Sequence, residues 1–242
     1  MKAVQIDRYS KTIDTILRNI PVPELDPTEV LLQVKAAAVN PLELLILTGS
    51  VKLIQDYPMP LTLGNECSGV VKAVGRGVTD FHVGDRVYAR LPLSKIGAFA
   101  EYVAVDQSAL AVMPAGYDFA TAAAIPLTGL TAWQGITEEL EAKGGETLLI
   151  PGGSGSFGQM AVPIAGAKYD RAAKKQNKEY HFIFVRSDGA QLRKITKIVE
   201  QHLIVPRIDP RVFTLETAQD ALALVQKGGI DGKVLISLDE KR

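Results

Sequence analysis

The run ETLLIPGGSGSFGQMAVPIA, residues 146–165, constrains the fold more than any other, because it sets a short apolar segment, a glycine-rich loop and a helix-forming stretch in that order. Residues 147–150 read as a strand, and Ser156 onward opens a helix. Gly153, Gly155 and Gly158 stand in GxGxxG spacing. The first can make the tight turn, the second lets backbone approach a pyrophosphate, and the third lets helix and strand pack closely. Phosphates would then meet the amides and the positive dipole end of the helix. A glycine-rich turn before any helix can imitate this pattern, and the preceding strand is what gives it weight. On this reading Gly153, Ser154, Gly155, Ser156, Phe157 and Gly158 are the cofactor-binding residues.

The element such a site needs next is missing. A second strand ending in an acidic or basic residue, about 20 positions on, should hold the adenosine ribose. Around Ala173 the chain reads DRAAKKQNKEY with no apolar run before it, and the next strand-like run, YHFIFV, begins only at Tyr180. Residues 151–206 offer roughly 55 positions, whereas a six-strand doubly wound domain, at about 30 residues per βαβ unit, needs well over 100.

The rest of the chain is richer in strands. Up to about Pro114 come KAVQI, EVLLQVKAAAV, CSGVVKAVG, DRVYA, FAEYVAV and ALAVM, each bounded by glycine, proline or aspartate. They predict a mostly antiparallel unit that turns at Gly84-Asp85 and Gly75-Arg76-Gly77. Residues 119–143 predict two consecutive helices, broken at Pro126 and Gly129. Further helices are expected over 190–201 and 216–226, the second stopped by Gly228 and Gly229, with a closing strand over 233–238. The fold class is α/β with a large β part.

Electrostatics give no argument for a nucleic-acid partner: Lys plus Arg number 27 against 27 for Asp plus Glu. The cluster Arg171, Lys174, Lys175, Lys178 is interrupted by neutral residues and reads as a solvated helix face. A single cysteine, Cys67, closes no intramolecular disulfide and suits a cytoplasmic protein. No run reaches the roughly 18–20 apolar residues of a membrane span.

Six motifs then occur in a familiar order: AAAVNPLELL, GNECSGVV, VGDRV, GAFAEYVAV, IPLTGLTAW and GGSGSFGQMAV. In this the chain resembles the zinc-free medium-chain dehydrogenase/reductases of the quinone oxidoreductase-like, zeta-crystallin type. The likeness runs from Met1 to about Ala165 and resumes from about Gly166 to the end, taking in YHFIFVRSDGAQL and GGIDGKVLI. The junction is abrupt, and most of the nucleotide-binding domain reads as excised.

The resemblance implies a GroES-like β barrel for substrate, residues 1–118 and 207–242, and a truncated Rossmann-like remnant, residues 119–206. In that remnant 147–150 and 180–185 would be parallel neighbours. It further implies an NADPH- or NADH-dependent oxidoreductase acting on quinones, enones or aldehydes. Asn40 and Thr128 are nominated as the catalytic pocket residues, the first as an amide donor and the second beside the nicotinamide carboxamide. On local chemistry alone, Asn40 reads equally as an Asx-turn residue before Pro41, and Thr128 as an N-cap.

Zinc-dependent relatives carry a histidine and a cysteine where this chain has Asn65 and Asn40, so no metal is expected. His82, His181 and His202 are scattered and read as structural or surface residues. Glu43, Glu66 and Cys67 read as structural, and Tyr57 and Tyr102 as filling the β unit. A remnant sheet with bare edges predicts a homo-oligomer, such as a dimer. Two alternatives stay open: a catalytically silent truncated scaffold, and a module binding small apolar ligands.

Overall fold

The computed structural model describes residues 1–238 apart from 147, 151, 154 and 169–184. The first half comprises strands β1 (Lys2–Ile6), β2 (Ile16–Asn19) and β3 (Glu29–Val39), helix α1 (Pro41–Leu47), and strands β4 (Leu61–Thr62), β5 (Glu66–Val74), β6 (Arg86–Arg90), β7 (Tyr102–Asp106) and β8 (Leu110–Val112). Helices α2 (Phe119–Ala123), α3 (Pro126–Gln134), α4 (Ser156–Lys168), α5 (Gly189–His202) and α6 (Ala218–Lys227) follow, and β9 (Val234–Ser237) comes last.

β3 organises the β part. Its first residues alternate between buried and half-buried, as a strand with one wet face should. One edge pairs antiparallel with β5, while the other is shared: β7 pairs with Glu29 to Gln33 and β9 with Ala36 to Val39. Along the second half both faces are covered. Ala37 and Val39 join the main core, while Ala36 and Ala38 meet Ala123, Ala124 and Leu235. Alanines at 36 and 38 let α2 lie close against the sheet. The closing strand thus completes the N-terminal sheet, and Leu215, in the turn ahead of α6, joins Ala218, Ala221 and Leu222 of α6 in the same core.

The expected barrel does not close. A three-stranded sheet, β2-β1-β4, and a six-stranded sheet, β7-β3-β5-β6-β8 with β9 on β3, are linked by a bridge between Ala3 and Ala100. Both remain open because β7 and β9 divide one edge of β3 between them, so the strand path branches.

A second core gathers α3, α4 and α5 around Leu130, Trp133, Met160, Ile164, Leu192, Ile195 and Val199, with Tyr88 and Met113 reaching in from the sheet. The expected parallel strand pair is corrected in part. The described residues 148–150 form no strand, and Leu149 is 81% exposed. A strand needs a hydrogen-bonded neighbour, and none of the described residues runs beside this one. Residues 147 and 180–184 lie outside the described residues. The other helices stand near their expected places, with α5 starting at Gly189 behind an Asp188 side chain that caps Gln191 N. No helix among the described residues is long and apolar enough to cross a membrane.

Tyr88 ties the two cores: its hydroxyl lies 2.6 Å from Thr196 Oγ1 on α5. Tyr88→Phe keeps the ring packing but removes this bond, and should lower unfolding free energy in urea by about 1 kcal/mol with an unchanged m-value.

Candidate active site

Asn40 sits where β3 ends. Pro41, with no amide proton and its φ already helical, stops the strand and starts α1, so Asn40 becomes the N-cap in an extended conformation. Its amide N–H donates to Glu43 Oε2 at 2.7 Å, the return arm of a capping box. The other oxygen of Glu43 accepts from Asn65 N at 3.1 Å. One buried carboxyl thereby fastens the end of β3 to the start of β5. Burial pushes the Glu43 pKa from its ordinary 4.5 to about 8, with the nearby Glu66 adding to the rise and the backbone amides of Asn40 and Glu43, together with Lys233, opposing it.

The Asn40 side chain is fixed by Lys233. The Lys233 ammonium donates to Asn40 Oδ1 at 2.5 Å and forms an ion pair with Glu66 Oε1 at 2.7 Å, both residues being buried. An ammonium only donates, so it selects the Asn40 orientation with oxygen inward. Nδ2 then donates to Ala38 O and Asn65 Oδ1, each at 3.3 Å. Glu66 has a second duty: its Oε2 accepts the Leu127 amide at 2.6 Å.

That last bond corrects the N-cap alternative for Thr128. The N-cap of α3 is Ile125, which has no polar side chain, and Thr128 is the third helical residue. Glu66 supplies the missing acceptor from β5, a carboxylate at the positive end of the helix. Thr128 Oγ1 bonds back to Ala124 O and Ile125 O at 3.3 Å each. Asn40 and Thr128 are therefore joined through Lys233, Glu66 and the Leu127 amide, so a buried polar chain crosses from β3 to α3.

The same cluster contains Arg90, opposite Glu66 in the β5–β6 register. Burial lowers the Arg90 pKa, opposed by Glu66, Tyr57 and Glu43, and Nη1 donates to Ser187 Oγ at 2.9 Å. Lys233 and Arg90 were not singled out from sequence. A lysine directly ahead of the apolar strand VLIS was the available signal, since a cation entering a buried strand requires a partner. Cys67 is buried, and burial pushes its thiol up to about 12, which makes it inert. His82 and His202 are exposed, and His181 lies outside the described residues.

In the glycine loop, Ser154 lies outside the described residues. The left-handed residue is Gly152, at φ 70°, so the tight turn falls one position before Gly153. A Cβ on Gly158 would lie 2.3 Å from Gly153 Cα, so the third glycine is needed where loop and helix touch. A Cβ on Gly155 would meet Gly152 O at 3.3 Å. Ser156 and Phe157 open α4, whose first amides have no partner within the helix.

Residues 101–236 match the family model described as zinc-binding dehydrogenase. The chain belongs to that family. The match agrees with the resemblance to medium-chain dehydrogenase/reductases drawn from the sequence motifs. Residues 26–115 match the alcohol dehydrogenase GroES-like domain. It is 36% identical over 182 residues to the NADPH-dependent alkenal/one oxidoreductase, chloroplastic, of Arabidopsis thaliana, covering 72% of this chain and 46% of that protein. It is 27% identical over 289 residues to the 2-methylene-furan-3-one reductase of Solanum lycopersicum, covering 90% of this chain and 74% of that protein. The chain thus spans about half the length of the Arabidopsis relative. An aligned stretch of 289 positions exceeds the 242 residues present, so that alignment must open gaps in this chain. Among solved structures, the quinone oxidoreductase from Coxiella burnetii superposes with TM-score 0.83 at 21% identity, over 99% of each chain. That likeness shows the shared fold.

Despite the family's name, the cluster's donor set does not fit zinc. Asn40 and Asn65 offer amides, the Lys233 ammonium already lies against Asn40 and Glu66, and no group of three His, Cys, Asp or Glu among the described residues could hold a metal.

Two expectations follow. Lys233→Met strands Glu66 as an unpaired buried charge and should cost about 3–5 kcal/mol in denaturant unfolding, with Lys233→Met/Glu66→Leu recovering part of it. For Glu43, an acid whose folded pKa is raised, the stability it contributes is fully present below pH 4.5 and is lost as pH rises through about 8. Urea midpoints of the wild type should therefore fall over that window, and Glu43→Gln should flatten the fall.

Proposed function

We propose that this chain is an NAD(P)H-dependent reductase of quinones, enones or aldehydes that works without zinc. The observation that carries the reading is the buried chain Asn40–Lys233–Glu66–Leu127, which holds the amide of Asn40 and the start of α3 in one fixed arrangement. The printed names of the relatives, an NADPH-dependent alkenal/one oxidoreductase and a furanone reductase, support it.

Gly153, Ser154, Gly155, Ser156, Phe157 and Gly158 would take the pyrophosphate at the first turn of α4, and Thr128 the nicotinamide carboxamide. The bound cofactor would supply a hydride. The chain's own residues would do the rest by position and charge: Asn40 would supply an amide donor by trading one of its 3.3 Å bonds, to Ala38 O or Asn65 Oδ1, for a substrate oxygen, and Lys233 keeps that amide from turning over. Residues 1–118 and 207–242 would form the substrate domain and 119–206 the cofactor-binding remnant. The open edges of the two sheets favour a dimer, and the lone buried cysteine suits a cytoplasmic location.

The chain's shortness favours a second reading, a silent scaffold, because a missing ribose-binding strand removes charge-assisted contacts of about 1.5–3 kcal/mol each. Calorimetric titration with NADPH and then NADH separates the two. Micromolar binding that Gly155→Val abolishes is the outcome expected of a reductase; no heat up to millimolar cofactor identifies the scaffold.

A further inference from the structure

The hydrogen-bond inventory around Glu43 does not balance. Among the described residues, Tyr57 Oη, Asn65 Nδ2 and Arg90 Nε are buried without a hydrogen-bond partner; Glu66 Oε1 also lacks a hydrogen bond but lies 2.7 Å from the Lys233 ammonium. The three residues are 6%, 0% and 2% exposed. Arg90 and Asn65 are neighbours across β5 and β6, since Glu66, next to Asn65, pairs with Arg90. Asn65 is bonded to Glu43 through its backbone, and its carbonyl accepts from Leu91 N, next to Arg90, at 2.7 Å. Tyr57 and Arg90 are close enough to feel each other's charge and that of Glu43.

What these atoms require is an oxygen. An arginine only donates, and Asn65 already uses its Oδ1 to accept from Asn40, leaving its NH2 to give. A buried donor left unmade lowers stability, and three of them around one acid is a cost that packing alone does not explain. The charges agree in sign. Lys233 and Arg90 are set against Glu66 and Glu43, and burial of Glu43 favours its neutral form.

We propose that Tyr57, Asn65 and Arg90 form a pocket for one negatively charged oxygen of a ligand. That oxygen has two possible sources: a carboxylate present when the ligand binds, or the oxygen of an enone undergoing reduction. In the second, hydride from NAD(P)H adds at the β carbon, the alkene pair shifts to join the α and carbonyl carbons while the carbonyl π pair moves onto the oxygen, and a proton from water at the α carbon restores the carbonyl. Only this second source rests on the reductase reading.

The test uses the full chain, with crotonate as the carboxylate probe and cyclohexenone as the neutral enone. Calorimetry without cofactor should show crotonate binding, weakened about ten- to a hundredfold by Tyr57→Phe and by Arg90→Gln. Tyr57→Phe should also raise the urea midpoint, because it deletes an unpaired buried hydroxyl. Gain of stability with loss of binding is a pair of signs that a packing residue does not produce. If crotonate fails to bind but cyclohexenone is reduced with NADPH, a Tyr57→Phe loss in kcat at unchanged KM assigns the oxygen to the reduced enone. Crotonate binding without NADPH binding would sink the reductase reading and keep the pocket. The pocket is overturned if Tyr57→Phe lowers stability, or if neither crotonate binding nor kcat responds to it.

Discussion

The buried ion pair between Glu66 and Lys233 is the contact on which the arrangement depends. Taking two charges out of water costs several kcal/mol per ion, and the attraction between them repays this only when every remaining lone pair and proton is used. Here the surplus groups reach outward, Lys233 to the Asn40 oxygen and Glu66 to the Leu127 amide. The pair is thus less a source of stability than a device for register: it is satisfied only when β3, β5, α3 and the approach to β9 stand in one relation.

Much of the β part was legible because strands half-buried or wholly buried write themselves as alternation and β-branched runs. EVLLQVKAAAV coincides with β3 from end to end. Helix α1 was not legible, since seven residues are too few to show a helical period, and only Pro41 at its start signals it. The run at 148–150 misled for the opposite reason: its composition is that of a strand, yet pairing is a property of neighbours, which local sequence does not contain.

The polar cluster shows the same division. Asn40 could be named from its motif, but its partner Lys233 stands 193 positions away and no spacing rule connects them. Glu43 and Glu66 were read as structural, and each does have a structural duty, closing a cap at α1 or α3. What could not be seen is that these duties share one buried volume, where satisfying a helix end also sets the orientation of a side-chain amide. Tyr57 was set aside as filler, since the lack of a partner for its hydroxyl shows only in three dimensions.

The distance along the chain between Asn40 and Lys233 bears on how such a protein tolerates editing of its middle. Closing that loop is an entropic matter that grows only with the logarithm of its length. Inserting some 70 further residues between the two would raise the closure cost by about 0.3 kcal/mol, a small fraction of a typical folding free energy. The join between β3 and β9 is thus thermodynamically insulated from the size of whatever lies between them, and lineages of this fold are free to lengthen or shorten the intervening segment while the cluster at the join stays intact.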